Sequence, residues 1–76
     1  MANRRATYHI KYKMAGDGNE YGIDVVAGSK FEAWLLATVE RIPWIYHKRP
    51  EAAWCHSVTY RNGNRRIFKN TAERPY

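Results

Sequence analysis

Cysteine is nearly absent from this sequence. Cys55 stands alone among 76 residues, which excludes an internal disulfide framework. One thiol with three scattered histidines argues against a structural zinc site, so no metal or other cofactor is expected. Long apolar runs are also missing. All are far shorter than the ~20 residues a bilayer-spanning helix needs, so no membrane partner is expected. The start, Met1 to Ala6, is basic, and no apolar signal-peptide core follows it. The expectation is a reduced, cytoplasmic domain. What is present is globular in balance: 45% hydrophobic, 14% aromatic and 26% charged residues. At this length a single domain over residues 1–76 sits near the lower limit for folding alone.

Acidic residues are scarce, and they are gathered in one place. Thirteen Lys and Arg stand against seven Asp and Glu, a net charge of +6. Residues 1–13 carry Arg4, Arg5, Lys11 and Lys13 and no acid. Residues 14–27 carry Asp17, Glu20 and Asp24 and no Lys or Arg. Residues 56–76 carry Arg61, Arg65, Arg66, Lys69 and Arg74 against Glu73 alone. Both ends are therefore basic. If they meet in space, they form a positive face suited to phosphate or to an acidic protein surface.

The hydrophobic pattern predicts an α+β fold of order β-β-α-β-β. Thr7 to Met14 alternates, with Tyr8, Ile10, Tyr12 and Met14 on one side and His9, Lys11 and Lys13 on the other, the signature of a half-buried strand. Residues 15–20, dense in Gly, Asp and Asn, predict a hairpin loop. A second strand runs from Tyr21 to about Ala27, with Asp24 facing outward toward Lys11 or Lys13. Ser29-Lys30-Phe31-Glu32 matches a capping box. Phe31, Trp34, Leu35, Thr38, Val39 and Ile42 then form one apolar stripe at helical spacing, and Pro43 is expected to end the helix near Ile42. Residues 43–53 read as irregular. A third strand, Trp54 to Tyr60, puts Trp54, His56, Val58 and Tyr60 on one face. Asn62-Gly63 predicts a type I′ turn into a fourth strand from Arg65 to about Lys69. A two-residue loop sets Val58 opposite Ile67, and a three-residue loop sets it opposite Phe68. The expected architecture is an antiparallel sheet of three to four strands with one amphipathic helix packed on one face. A basic flexible arm (1–6) precedes the folded core (7–69), and a tail (70–76) follows it.

Catalytic chemistry finds little support. Cys55 and His56 are strand neighbours that project to opposite faces, so they cannot form a thiolate–imidazole pair. Cys55 reads as a small core filler, His56 as packing and His9 as part of a solvated face. Asp17, Glu20 and Asp24 lie in a turn and on a polar strand face, where solvation is expected. The loop around them is too short for a calcium site and lacks the pattern of a phosphate cradle. The chain therefore reads as non-enzymatic, with no small-molecule substrate.

The combination of basic and aromatic residues remains. Cations contact phosphates, and exposed rings stack on bases or enter protein pockets. Trp44, Tyr46, His47, Lys48 and Arg49 cluster in one segment, while Trp34 and Trp54 read as core. The candidate contact surface is Lys11, Lys13, Arg61, Arg65 and Arg66, flanked by Arg4, Arg5 and the 44–49 segment. Its cations are expected to converge on the uncovered side of the sheet.

The order of strand, Gly-rich turn, strand, capped helix and hairpin over residues 7–69 resembles that of very short phage and mobile-element proteins, including small basic anti-CRISPR inhibitors. The resemblance is one of architecture and transfers no site residues. It implies a non-enzymatic inhibitor in the host cytoplasm that docks on a nucleoprotein complex and blocks its nucleic-acid path. Two other readings follow from the residues themselves: a sequence-tolerant nucleic-acid-binding domain, or a subunit that oligomerises, for example as a dimer through a sheet edge.

Overall fold

A computed structural model describes residues 5–69. Arg4, with the rest of residues 1–4, and the tail 70–76 lie outside the described residues, so the expectations for them have no structural counterpart. The fold is α+β: four antiparallel strands in an open sheet plus one helix over residues 30–46. The strands are β1 (Ala6–Lys13), β2 (Tyr21–Ala27), β3 (Ala52–Thr59) and β4 (Arg65–Ile67), in spatial order β2-β1-β3-β4. Among the described residues no helix is long and apolar enough to cross a membrane.

Strand β1 is the centre of the sheet, paired with β2 on one side and β3 on the other. Its alternation holds along its length: Ala6, Tyr8, Ile10 and Tyr12 are buried, and Thr7, His9, Lys11 and Lys13 are half-exposed. Val25 and Ala27 of β2 and Ala53, Cys55 and Val58 of β3 join the same core.

β3 departs from simple alternation. His9 pairs with Ser57 and Ile10 with Cys55, which leaves His56 as the extra residue of a β-bulge. The bulge shifts the pattern by one residue, so Cys55 and Val58 both reach the core. Trp54, expected beside Val58, instead lies opposite Lys11 on the other face and is still only 7% exposed.

The β3–β4 hairpin has neither expected register. Val58 pairs with Arg66 and Thr59 with Arg65. Tyr60 N–H donates to Asn64 at 2.8 Å, leaving Arg61, Asn62 and Gly63 as a three-residue loop. Gly63 has φ +90° and Asn62 does not share the left-handed region, so the turn is not type I′. This is the turn-plus-left-handed-glycine form that three-residue hairpins favour. β4 ends at Ile67 rather than near Lys69.

The helix begins as expected and ends differently. Ser29 Oγ accepts from Glu32 N–H at 3.1 Å, while Glu32 Oε1 accepts from Gly28 N–H at 2.7 Å, one residue before the expected donor. The first stretch, α1 (Lys30–Leu35), passes into a π-helical segment (Leu36–Arg41) and then α2 (Ile42–Tyr46). Pro43 therefore does not stop the chain. Proline has no N–H and its ring crowds the carbonyl four residues earlier. The wide turn, in which Ile42 N–H reaches back to Ala37, makes room for that ring. His47, at φ +62°, closes the helix with a 2.7 Å bond from its N–H to the Pro43 carbonyl.

The buried face of the helix is not the expected stripe. Ala33, Ala37, Thr38 and Ile42 are buried, whereas Phe31, Leu35 and Val39 of the expected stripe are exposed. The alanines let the helix backbone lie close to the sheet, and Trp34 anchors it by donating Nε1–H to the Ala53 carbonyl at 2.8 Å. Ile42→Ala should lower unfolding stability by ~2–5 kcal/mol in urea titration, because Ile42 is fully buried. Val39→Ala should cost well under half as much. Equal losses would contradict the observed buried face.

Candidate functional site, a basic–aromatic cleft around Tyr8

The structure divides the basic residues among three places. Lys11, Lys13 and Arg65 share the sheet face that carries His9. Arg65 is opposite Thr59 and its Nη2 donates to Ser57 Oγ at 3.3 Å. Two acids occupy the same face. Glu20 takes Lys11 at 3.2 Å, and Asp24 takes His9 rather than a lysine, with 2.6 Å between Oδ1 and Nδ1. His9 Nε2 continues the chain to Thr59 Oγ1 at 2.9 Å, so this histidine is tied into a cross-strand network. On this face Lys11 and His9 thus each meet a carboxylate, while Arg65 bonds to a hydroxyl.

The 44–49 segment lies at the far end of β1. Tyr46 is taken up in packing: its hydroxyl meets that of Tyr12 at 3.0 Å and the rings form an edge contact. Burial and that hydrogen bond push the Tyr12 hydroxyl up to about 12. Trp44, His47, Lys48 and Arg49 are exposed. Tyr12 and Tyr8 are separated by roughly 13 Å along β1 at ~3.3 Å per residue, so the 44–49 cations do not join those at the other end.

That other end holds the site. Arg5 from the start of the chain and Arg61 and Asn62 from the β3–β4 turn line a cleft of about 500 Å³ with Tyr8, Tyr60 and Gly28. Tyr8 links this cleft to a second cluster. Its ring stacks on Phe68 at 6.4 Å, and Phe68 carries Lys30 Nζ at 4.3 Å and the Arg66 guanidinium at 5.7 Å from its centroid. Arg66 belongs here and not on the open face, because it pairs with Val58, an inward residue. Four cations thus surround three aromatic rings. Tyr60 is 40% exposed, whereas Tyr8 is buried at the base. Burial, followed by the nearby Tyr60, raises the Tyr8 hydroxyl above its ordinary value, so at neutral pH it keeps its proton and can donate to an anion.

Of the sequence-predicted residues, Arg5, Arg61 and Arg66 reach this end of the molecule. Lys11, Lys13 and Arg65 lie on the open face. Trp44, Tyr46, His47, Lys48 and Arg49 lie at the opposite end. Tyr8, Lys30, Tyr60 and Phe68 were not among the candidates. Tyr8 reads as core from alternation, the face of Phe68 was left open with the hairpin register, and only that register brings Tyr60 and Phe68 to Tyr8 and Lys30. Among the described residues no group of three or more His, Cys, Asp or Glu side chains could hold a metal ion.

Two titratable groups on β3 give measurable consequences. Cys55 is fully buried, donates to the Lys30 carbonyl at 3.5 Å, and burial pushes its thiol up to about 11. In the folded protein it should resist iodoacetamide at pH 8 and react promptly in urea; fast alkylation of the native state would contradict its burial. His56 is held below its ordinary value of 6.5, by burial first and then by Lys11 and Arg65. Between the lowered folded value and 6.5 the unfolded chain binds more protons, so stability should fall as pH drops below about 6.5. His56→Gln should flatten that part of the stability–pH curve, and an unchanged slope would exclude His56 as its source. Comparison with known protein families, with curated proteins and with solved structures finds no match to this chain.

Proposed function

We propose that this chain is a non-enzymatic binding module that docks its Tyr8-centred basic–aromatic cleft on a nucleic-acid strand exposed by a nucleoprotein complex and blocks that strand's path. The observation that carries this reading is the cleft itself: Arg5 and Arg61, distant in sequence, line one cavity with Tyr8, Tyr60 and Asn62. Arginines supply phosphate contacts, an exposed tyrosine ring offers a stacking platform for a base, and an amide reads or positions polar edges. Lys30 and Arg66 beside Phe68 extend the positive potential toward the helix.

Strands rather than duplexes suit this geometry. The cations sit around a concave, ring-lined end of the molecule and not along a helix or ribbon that could enter a major groove. Action by occlusion agrees with the architectural resemblance to phage-borne inhibitors of the anti-CRISPR type. It requires only a rigid, charged body of this size on the path of the strand.

Fluorescence anisotropy with a labelled single-stranded oligonucleotide tests the reading. Contact with three or four phosphates predicts a slope of about −2 to −3 in log K against log salt, at ~0.7 per phosphate for single strands. Arg5→Glu with Arg61→Glu should weaken binding by at least about tenfold, while Lys11→Glu with Lys13→Glu should change it by less than about threefold. A greater loss from the lysine pair would move the contact to the open sheet face. No salt-dependent binding would end the nucleic-acid reading and favour an acidic protein surface.

A further inference from the structure

The cleft is lined by one residue whose side chain is chemically labile. Of the five asparagines in the chain, Asn62 alone is followed by glycine. An asparagine loses its amide when the backbone nitrogen of the next residue attacks the side-chain carbon and closes a five-membered ring. Glycine offers that nitrogen with no side chain to hinder the approach. Asn19 and Asn64 are followed by Glu20 and Arg65, whose side chains crowd the same path.

The hairpin turn sets the geometry. Arg61, Asn62 and Gly63 form the whole loop, and residues 60–67 are all exposed. Asn62 Oδ1 accepts from Asn64 N–H at 3.0 Å, which folds the carboxamide back over the Gly63 peptide and draws electron density from its carbon. A Cβ placed on Gly63 would meet nothing within 4 Å outside its chain neighbours, so the space around the peptide is open. One bond opposes the reaction: Gly63 N–H donates to the Tyr60 carbonyl at 2.9 Å and must leave it to attack. That bond closes a turn at the sheet edge, where β4 pairs for only three residues. Local opening of so short and exposed a hairpin costs little.

The step balances with water alone. The Gly63 nitrogen gives its proton to hydroxide and bonds to Asn62 Cγ. The bond from Cγ to the amide nitrogen breaks, and that nitrogen takes a proton from water and leaves as ammonia, which regenerates the hydroxide. Water then opens the ring at either carbonyl to give aspartate or isoaspartate, and nothing is oxidised or reduced. A neutral amide has become a carboxylate in the cleft that Arg5 and Arg61 line.

We propose that Asn62 is a site of spontaneous deamidation in the folded protein, and that the carboxylate it leaves repels phosphate and weakens the cleft's hold on a strand. The loss of affinity rests on the strand-binding reading of the cleft; the modification does not.

Incubation of the full chain at mildly alkaline pH, followed by peptide mapping by mass spectrometry, tests the site. Asn62 should be the first asparagine converted, with Asn19 and Asn64 still amides and with isoaspartate beside aspartate. Binding of a labelled single-stranded oligonucleotide should decline as conversion proceeds, whereas incubated Asn62→Ser should show no decline from its own starting value. Asn62→Asp should bind about three- to tenfold more weakly than the parent at low salt, and less so at high salt, where charges are screened. Its circular-dichroism spectrum should match the parent's. An intact Asn62 in the folded chain, with conversion only in urea, overturns the proposal, because the Gly63–Tyr60 bond then protects the amide. Conversion without loss of binding overturns the effect on the cleft. A fresh chain that binds no strand ends the reading of the cleft instead, and the peptide map still decides the modification.

Discussion

Everything in this fold is referred to one strand. β1 is paired on both sides, and its inward residues Tyr8, Ile10 and Tyr12 share one core with residues of β2, β3 and the helix. Ile10 and the buried helix residues form the dry centre. Tyr12 reaches Tyr21 of β2 and Tyr46 at the end of the helix, and Tyr8 reaches Phe68 beyond β4. A small domain has little core to spare, so a strand that contributes to all sides of it fixes the register of the rest. A slip of one residue in β1 would turn His9, Lys11 and Lys13 into the core and abolish the fold.

The placement of charge follows from this central strand. The antiparallel pairing of β1 with β2 lays Asp24 against His9, and Glu20 follows close to Lys11. Such exposed pairs contribute little to stability. Their effect is on the field: they remove much of the positive potential from the open sheet face. Of the other cations, Arg5 and Arg61 line the cleft beside Tyr8 and Tyr60 at the turn end of the sheet, and Lys30 and Arg66 lie over Phe68. The bulge at His56 and the three-residue turn at Arg61–Gly63 place Arg65 outward and Arg66 inward, which divides two adjacent arginines between two surfaces.

Pro43 has consequences well beyond its own turn. Accommodating its ring opens the helix into a π-helical stretch, so the chain stays helical through Pro43 as far as Tyr46. Close approach of helix and sheet through Ala33 and Ala37 leaves Phe31, Leu35 and Val39 exposed.

The sequence by itself determined the elements whose signals are local. The alternation of β1 and β2, the Gly-Asp loop between them and the Ser29 cap depend on backbone geometry within a few residues, and each is legible without the rest of the chain. Fold class follows from those elements. The candidate site was only partly legible: Arg5, Arg61 and Arg66 stood out by charge, while Tyr8 reads as a core aromatic and the face of Phe68 hangs on the hairpin register. Which side of the helix is buried, where β3 gains its extra residue and which hairpin register prevails were decided by the tertiary structure alone. Each depends on a balance between distant groups. A proline's crowded carbonyl is set against a wider turn, and alternation in one strand is set against the positions of its two neighbours. The strength of neither side is written in the residues nearby.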